Sequence, residues 1–346
     1  VNLILGAKRE IMTEFMDAVV TTANENEPLA LMTIPVPEMA EKDVLVKVAA
    51  VAVNPVDTKQ RDAAVASNAT RVLGFDAVGE VVAVGEKATK FKTGDRIFYA
   101  GQLGRVGSNA TFQAVNEDLA ALAPEKMTDA EAAALPLTFL TAYELLADKF
   151  GLEVAENAAS GKALLVINGA GGVGSVMIQL AKWMGMTVIA SASREETVAW
   201  VKSLGADHVI NHRDDYVAEM HMLGFDTVPY IAILHAPEPH FEQAAELIGA
   251  FGHIGAIVES VEPMPVGLIK NKAASLDWEF MFAKANYNVD MASQGDALAL
   301  AAQLADKGSL RSTLTETLNG MTAENILAAQ EKVSAGVVNG KLAIVF

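Results

Sequence analysis

At 346 residues and a formal charge of −17, the chain combines 51% hydrophobic side chains with a large excess of carboxylates over basic groups. That charge, with no basic cluster to offset it, excludes non-specific nucleic-acid binding, which rests on phosphate neutralisation by Lys and Arg, and also an anionic membrane surface. The apolar content argues against disorder and suits roughly two domains; the lack of any cysteine excludes disulfides, thiolate metal sites and cysteine nucleophiles.

The N-terminal VNLILGAKRE holds an apolar patch too short for a signal-peptide core, with no basic flank before it. No run approaches the ~20 apolar residues that span a bilayer, so a soluble, cytoplasmic protein is expected. Short Val- and Ala-rich runs follow, AVVTTA, VLVKVAAVAV, GEVVAVG, DRIFYAG and NATFQAVN, broken by Gly, Pro, Asn and Asp. Such spacing predicts a small β barrel or sandwich-like module. At Thr128 the pattern changes: an N-cap with Glu131 three residues on leads into apolar residues at helical spacing. Pro136 interrupts them, which predicts two helices, the second ending near Gly151.

From Lys162 onward strands and helices alternate. ALLVIN, TVIASAS, HVIN, FDTVPYIAIL and HIGAIVE read as strands; SVMIQLAKWMG, EETVAWVKSLG and HFEQAAELIGAFG read as helices. This rhythm predicts βαβ units and a doubly wound parallel sheet, so the fold class is α/β. SLDWEFMF then alternates Leu276, Trp278, Phe280 and Phe282 against polar or smaller neighbours, predicting a strand near a sheet edge. A helix ALALAAQLADKG and a final strand KLAIVF close the chain.

The sharpest local signal is VINGAGGVGSVMIQLAKW, in which Gly169, Gly171 and Gly174 fit G-x-G-x-x-G, with Gly172 and Val173 between them. The motif follows an apolar strand and opens an amphipathic helix, the context that a dinucleotide pyrophosphate needs. Gly169 permits the turn, Gly171 lets backbone approach the phosphates, and Gly174 allows close helix–strand packing. The helix N-terminus supplies unpaired N–H groups. The second strand of this unit ends Ser191-Ala192-Ser193-Arg194 rather than in the carboxylate that binds the ribose of NAD. Ser193 and Arg194 suit a 2′-phosphate by hydrogen bonding and charge, which favours NADP(H). Glu195 and Glu196 fit the start of the next helix, where its dipole favours acids.

One stretch poses a separate question. LGFDAVGEVVAV reads as a buried strand, yet it contains Asp76. Such a carboxylate is a metal ligand, a catalytic group, or a structural residue with a hidden partner. The histidines at 208, 212, 221, 235, 240 and 253 form no ligand pattern in the sequence, so a catalytic metal is not expected.

VAVNPVDTK (51–59), LGFDAVGEV (73–81), GDRI (94–97), LTAYELL (140–146) and GAGGVG (169–174), followed by LGADHVIN (204–211) and NGKLAIVF (339–346), occur in an order that resembles the medium-chain dehydrogenase/reductase superfamily. The resemblance implies a GroES-like β-rich domain, 1–133 and 286–346, interrupted by a Rossmann NADP-binding domain, 134–285. Zinc members of that family carry a cysteine where Asn54 stands and His-Glu where Phe75-Asp76 stands. The chain is therefore more similar to the zinc-less quinone oxidoreductases and enone or enoyl reductases, and to a bacterial subgroup described as zinc-type alcohol dehydrogenase-like. Asp76 then takes a structural reading, capping or hydrogen-bonding backbone at a strand entry.

By the same resemblance Asn54 lines the nicotinamide pocket and Thr141 lies near the nicotinamide ribose. His212 stands where relatives carry a Tyr that contacts the 2′-phosphate. Relatives also carry a substrate-facing Tyr after the NPxD motif; here Lys59 is the candidate in its place, against the alternative of an exposed lysine. Leu234, His235, Gly255 and Ala256 fall at strand C-terminal ends, where open α/β sheets bind ligands, and are assigned to the nicotinamide. His235 is a candidate proton relay, or a loop histidine satisfied by backbone.

With no metal and no activated nucleophile, the chemistry expected is direct hydride transfer from NADPH to a quinone or an α,β-unsaturated carbonyl. An enoyl-thioester reductase is the alternative within the class. The missing Tyr and the lack of a basic patch for a carrier protein count against it. A non-catalytic NADPH-binding protein is the alternative from another class. The resemblance also implies a homodimer formed across the edge strand 276–282.

Overall fold

The computed structural model describes residues 14–346, so VNLILGAKRE and the first residues of the expected N-terminal segment lie outside the described residues. The β-rich part comprises β1 (Phe15–Thr21), β2 (Leu29–Pro35), β3 (Asp43–Ala52), a helix α1 (Pro55–Ala66), β4 (Asp76–Val84), β5 (Arg96–Tyr99), β6 (Phe112–Asn116) and β7 (Ala120–Leu122). Next come α2 (Asp129–Ala133) and α3 (Pro136–Glu144), which runs on into a wider π turn, Leu145–Lys149. The alternating part contains β8 (Ala163–Ile167), α4 (Gly172–Trp183), β9 (Thr187–Ser191), α5 (Glu195–Ser203), β10 (His208–Ile210), α6 (Tyr216–Met222), β11 (Val228–Ile233), α7 (Glu238–Leu247), β12 (Ile248–Ala256) and β13 (Ser275–Trp278). The chain closes with α8 (Ala283–Tyr287), α9 (Ala292–Lys307), β14 (Leu314–Asn319), α10 (Ala323–Ser334) and β15 (Lys341–Val345).

β8 to β13 form one parallel sheet in the order β10-β9-β8-β11-β12-β13. This is the doubly wound arrangement, with its topological switch between β8 and β11; ligands of such sheets bind outside the strand C-termini at that point. The other large sheet runs β14-β15-β3-β4-β5-β7, with β6 also on β3, while β1 and β2 pair with each other. β3 is its centre, paired with β4, β6 and β15. A strand covered on both faces reads as a continuous apolar run, which explains VLVKVAAVA. The C-terminal strand thus returns to the N-terminal sheet.

α2 and α3 join the two sheets. Thr128 Oγ1 accepts the N–H of Glu131 (3.3 Å), whose carboxylate accepts the N–H of Thr128 (2.9 Å), the capping box that the sequence predicts. Leu135, Phe139 and Leu145 are fully buried in one core with Val78 and Phe98 of the mixed sheet, Leu164 of the parallel one and Met177 of α4. Among the described residues no helix is long and apolar enough to cross a membrane.

Three differences from the sequence reading have local causes. The helix expected over 240–252 stops at Leu247, and Ile248 to Gly252 belong to β12, whose ladder with β11 shifts register next to Ile248 and turns the Phe251 side chain out, 79% exposed. The strand expected over 276–282 ends at Trp278: the Glu279 N–H makes a last bond to Ala256 O (2.9 Å), and Phe282 turns inward onto Phe75, ring centroids 4.9 Å apart. α1, unanticipated, buries only Asp57, Thr58 and Ala64 and so shows no apolar stripe.

Candidate nucleotide and substrate site

The glycine loop occupies the switch point. β8 ends at Ile167, and Asn168 turns the chain with φ 68°, its N–H donating to Ser191 Oγ at 2.8 Å. Helix α4 begins one residue after Gly171, and no side chain caps it. The bond from Ser175 N–H to Gly171 O (2.8 Å) opens the helix, so the N–H groups of Gly172, Val173 and Gly174 precede the helical ladder and are open to an anion. A Cβ on Gly174 would lie 2.5 Å from Asn168 O and 2.6 Å from Gly169 O, so only glycine lets the helix approach the loop this closely. A Cβ on Gly172 would meet Lys341 Cδ at 3.0 Å and Thr138 Cγ2 at 3.1 Å. This uncapped, glycine-lined cradle fits a dinucleotide pyrophosphate.

Beneath it lies a buried polar network. Asp76 opens β4 and is fully buried. Its Oδ1 accepts the N–H of Leu137 at the start of α3 (2.7 Å); its Oδ2 accepts from Asn54 Nδ2 (2.7 Å) and from Lys341 Nζ (3.1 Å). Lys341 also donates to Asn54 Oδ1 (2.5 Å) and to Val53 O (2.9 Å). Both ends of the Asn54 amide are therefore fixed. The Asn54 backbone N–H donates to Asp57 Oδ2 (2.8 Å). Burial pushes the Asp57 carboxyl up to about 7, against the opposing pull of that N–H and of Lys341. The structural reading of Asp76 holds, and its hidden partners are Asn54, Lys341 and the first turn of α3.

The remaining candidates fall into four places. Thr141 is buried on α3 with its hydroxyl on Leu137 O (2.8 Å). Leu234 and His235 follow β11, Leu234 buried and His235 exposed; Ala256 ends β12, and Gly255 packs against Leu145 and Phe150. Ser193 is half-buried after β9, and the exposed Arg194 reaches Asn339 Oδ1 with Nη2 (3.2 Å), while Glu195 and Glu196 start α5 as expected. Lys59 sits on α1 with its ammonium 2.7 Å from Glu259 Oε1, an ion pair whose two side chains are 52% and 71% exposed.

Although no ligand spacing appears in the sequence, the fold gathers three of the histidines. The rings of His212 and His240 are 6.1 Å apart, and His235 adds to the charge repulsion on both. Burial, then these neighbours, hold His240 down to about 4; burial and Arg213 lower His212. The Nδ1 atoms of His212 and His240 are buried with no partner. Among the described residues no three His, Cys, Asp or Glu side chains form a group able to hold a metal ion.

Sequence reasoning missed Lys341 and Asp57 as parts of this site. The available signal for Lys341 was a lone cation opening the apolar strand KLAIV, a position where an unpaired charge would be costly.

The model of the alcohol dehydrogenase GroES-like domain matches residues 40–125, and that of the zinc-binding dehydrogenase family matches residues 172–273. A zinc-type alcohol dehydrogenase-like protein of Staphylococcus aureus (strain MSSA476) is 42% identical over 311 residues, covering 90% of this chain and 92% of that protein. The crystal structure of a putative zinc-dependent alcohol dehydrogenase protein from Rhizobium etli CFN 42 superposes with a TM-score of 0.90 at 38% identity, covering 97% of this chain and 99% of that one. An NADPH-dependent alkenal/one oxidoreductase, chloroplastic, of Arabidopsis thaliana is 40% identical over 198 residues, covering 54% of this chain and 49% of that protein. Sequence, fold and glycine cradle agree: the chain belongs to the medium-chain dehydrogenase/reductase superfamily, as an oxidoreductase of its GroES-like plus Rossmann kind.

Proposed function

We propose that the protein is an NADPH-dependent reductase of quinones or α,β-unsaturated carbonyls that works by direct, metal-free hydride transfer. The observation that carries this reading is the Asn54–Asp76–Lys341 network. The positions expected to bind a catalytic zinc hold Asn54, Phe75 and Asp76, and the polar ones among them are already committed to one another and to Lys341. This donor set does not fit a zinc ion, which takes ligands free to converge on it. A bound nicotinamide supplies the hydride when present. The chain holds the pyrophosphate on Gly171–Gly174 and fixes the Asn54 amide, with Phe75 packed on Phe282 next to Asp76. Acceptors suited to a site with no Lewis acid are quinones, whose reduction gives a stabilised hydroquinone, and enones, which take hydride at the β carbon. The name of the Arabidopsis relative supports the enone class and the cofactor. Arg194 and Ser193, with His212, are assigned to the 2′-phosphate.

NADPH oxidation with a panel of quinones and enones tests the reading. Turnover with at least one class is expected. NADPH binding with no turnover on either would leave the non-catalytic alternative. Turnover confined to enoyl thioesters would select the other alternative.

We also assign the free edge of β13 to a second copy of the chain. Among the described residues β13 has β12 as its strand neighbour and exposes Trp278 (43%), with Phe280 (51%) just beyond it. An uncovered apolar edge favours pairing. Light scattering at micromolar concentration is expected to give a dimer mass, and a monomer mass contradicts the assignment.

A further inference from the structure

A pair of acids lies buried where β13 gives way to α8. Glu144, at the junction of α3 with its π turn, is 3% exposed, and Glu279, directly after β13, is 4% exposed. The two carboxyls are neighbours in this interior, where burial makes a second negative charge costly, so one keeps its proton. Burial and the adjacent Glu144 push Glu279 up to about 9, and burial raises Glu144 as well.

The surroundings add two cations to several acids. Lys284 Nζ on α8 lies 3.6 Å from Glu144, 2.8 Å from Asp148 on the π turn and 3.5 Å from Asp290, and donates to Ser293 Oγ (2.7 Å). Lys149, Tyr143 and Asp296 face the same cluster. Gln294 on α9 bridges Glu144 Oε1 (2.8 Å) and Met281 O (2.6 Å). Glu279 Oε1 is buried without a partner. Three residues on, Phe282 packs on Phe75, the neighbour of Asp76.

We propose that Glu144 and Glu279 form a proton-dependent latch that seats the segment Glu279–Phe282 and thereby holds Phe282 against Phe75, beside the Asn54–Asp76–Lys341 network. Loss of that proton places a second negative charge in the interior and releases the segment. Glu144 and Glu279 are thus positioning residues. Their effect on substrate rests on the proposed reductase function; the latch does not.

Hydrogen exchange across residues 279–291, followed by mass spectrometry and corrected for intrinsic rates, tests it on the full chain. In the wild type, protection of this segment should fall at least roughly tenfold between about pH 7 and about pH 10, relative to β8 and β9. Glu279→Gln keeps a donor that does not titrate, so its protection should stay flat, and KM for the acceptor should rise with pH in the wild type alone. Equal loss in wild type and variant overturns the latch. So does a flat wild-type profile, which decides the matter even where the variant fails to fold. PH-dependent protection without turnover on any acceptor would sustain the latch and contradict the proposed function instead.

Discussion

Lys341 and Asp76 form a buried ion pair, 3.1 Å from Nζ to Oδ2, between the last strand of the chain and the first residue of β4. The pair is completed by Asn54, Val53 O and the Leu137 N–H, so neither charge is left short of partners. Removing one partner strands the other charge in the interior. Lys341→Ala or Asp76→Ala is expected to cost about 3–5 kcal/mol of stability, measured by denaturant unfolding. A loss within ~0.5 kcal/mol would mean that solvent reaches the pair.

Asn54 offers its amide nitrogen to Asp76 and its amide oxygen to Lys341, which leaves it a single orientation. Asn54→Ala should lower kcat about 10- to 100-fold, as misplacement at a reacting centre does. NADPH affinity, read by fluorescence titration, should change by no more than about threefold, because the glycine cradle is separate from this amide. A large loss of affinity with unchanged kcat would make Asn54 a nucleotide-binding residue without a catalytic role.

Arg194 is exposed, and among the described residues its side-chain hydrogen bond goes to the neutral Asn339. Arg194→Ala is expected to weaken NADPH binding at least about tenfold, with NADH binding nearly unchanged, since a guanidinium pairs bidentately with phosphate. Equal losses for the two nucleotides would place the 2′-phosphate elsewhere.

Asp57 predicts a pH dependence of stability. Its carboxyl is raised from an ordinary 3.8 to about 7 in the folded protein, so the native state holds a proton that the unfolded chain releases. Its contribution is fully present below about pH 4 and is lost as pH rises to about 7, with a limiting slope of about 1.4 kcal/mol per pH unit. Asp57→Asn, which keeps an acceptor for the Asn54 N–H, should flatten the stability profile in that window. Unfolding curves at a series of pH values check this; an unchanged slope assigns the dependence to another group.

How much of this was legible follows from sequence distance. The glycine loop could be read because strand, turn and helix are contiguous, and Gly174 does make the close approach that its motif position predicts. The capping box at Thr128 was legible for the same reason. The partner of Asp76 was not, because Lys341 lies 265 residues away and meets it only when β15 docks on β3. The true end of β13 was hidden too: the alternation of Leu276 to Phe282 continues in the sequence, while a tertiary contact with Phe75 bends the chain after Trp278. Likewise the meeting of Glu144 with Glu279 depends on packing between α3 and the sheet edge, which no local pattern records.

The most direct test of metal-free hydride transfer follows the hydrogen itself. Chelator-treated protein is given NADPH deuterated at C4 and an enone, and the product is read by mass spectrometry and NMR. The expected result is one deuterium, at the carbon β to the carbonyl, with a rate unaffected by added zinc. Product lacking deuterium, or formed only after zinc is restored, would contradict it.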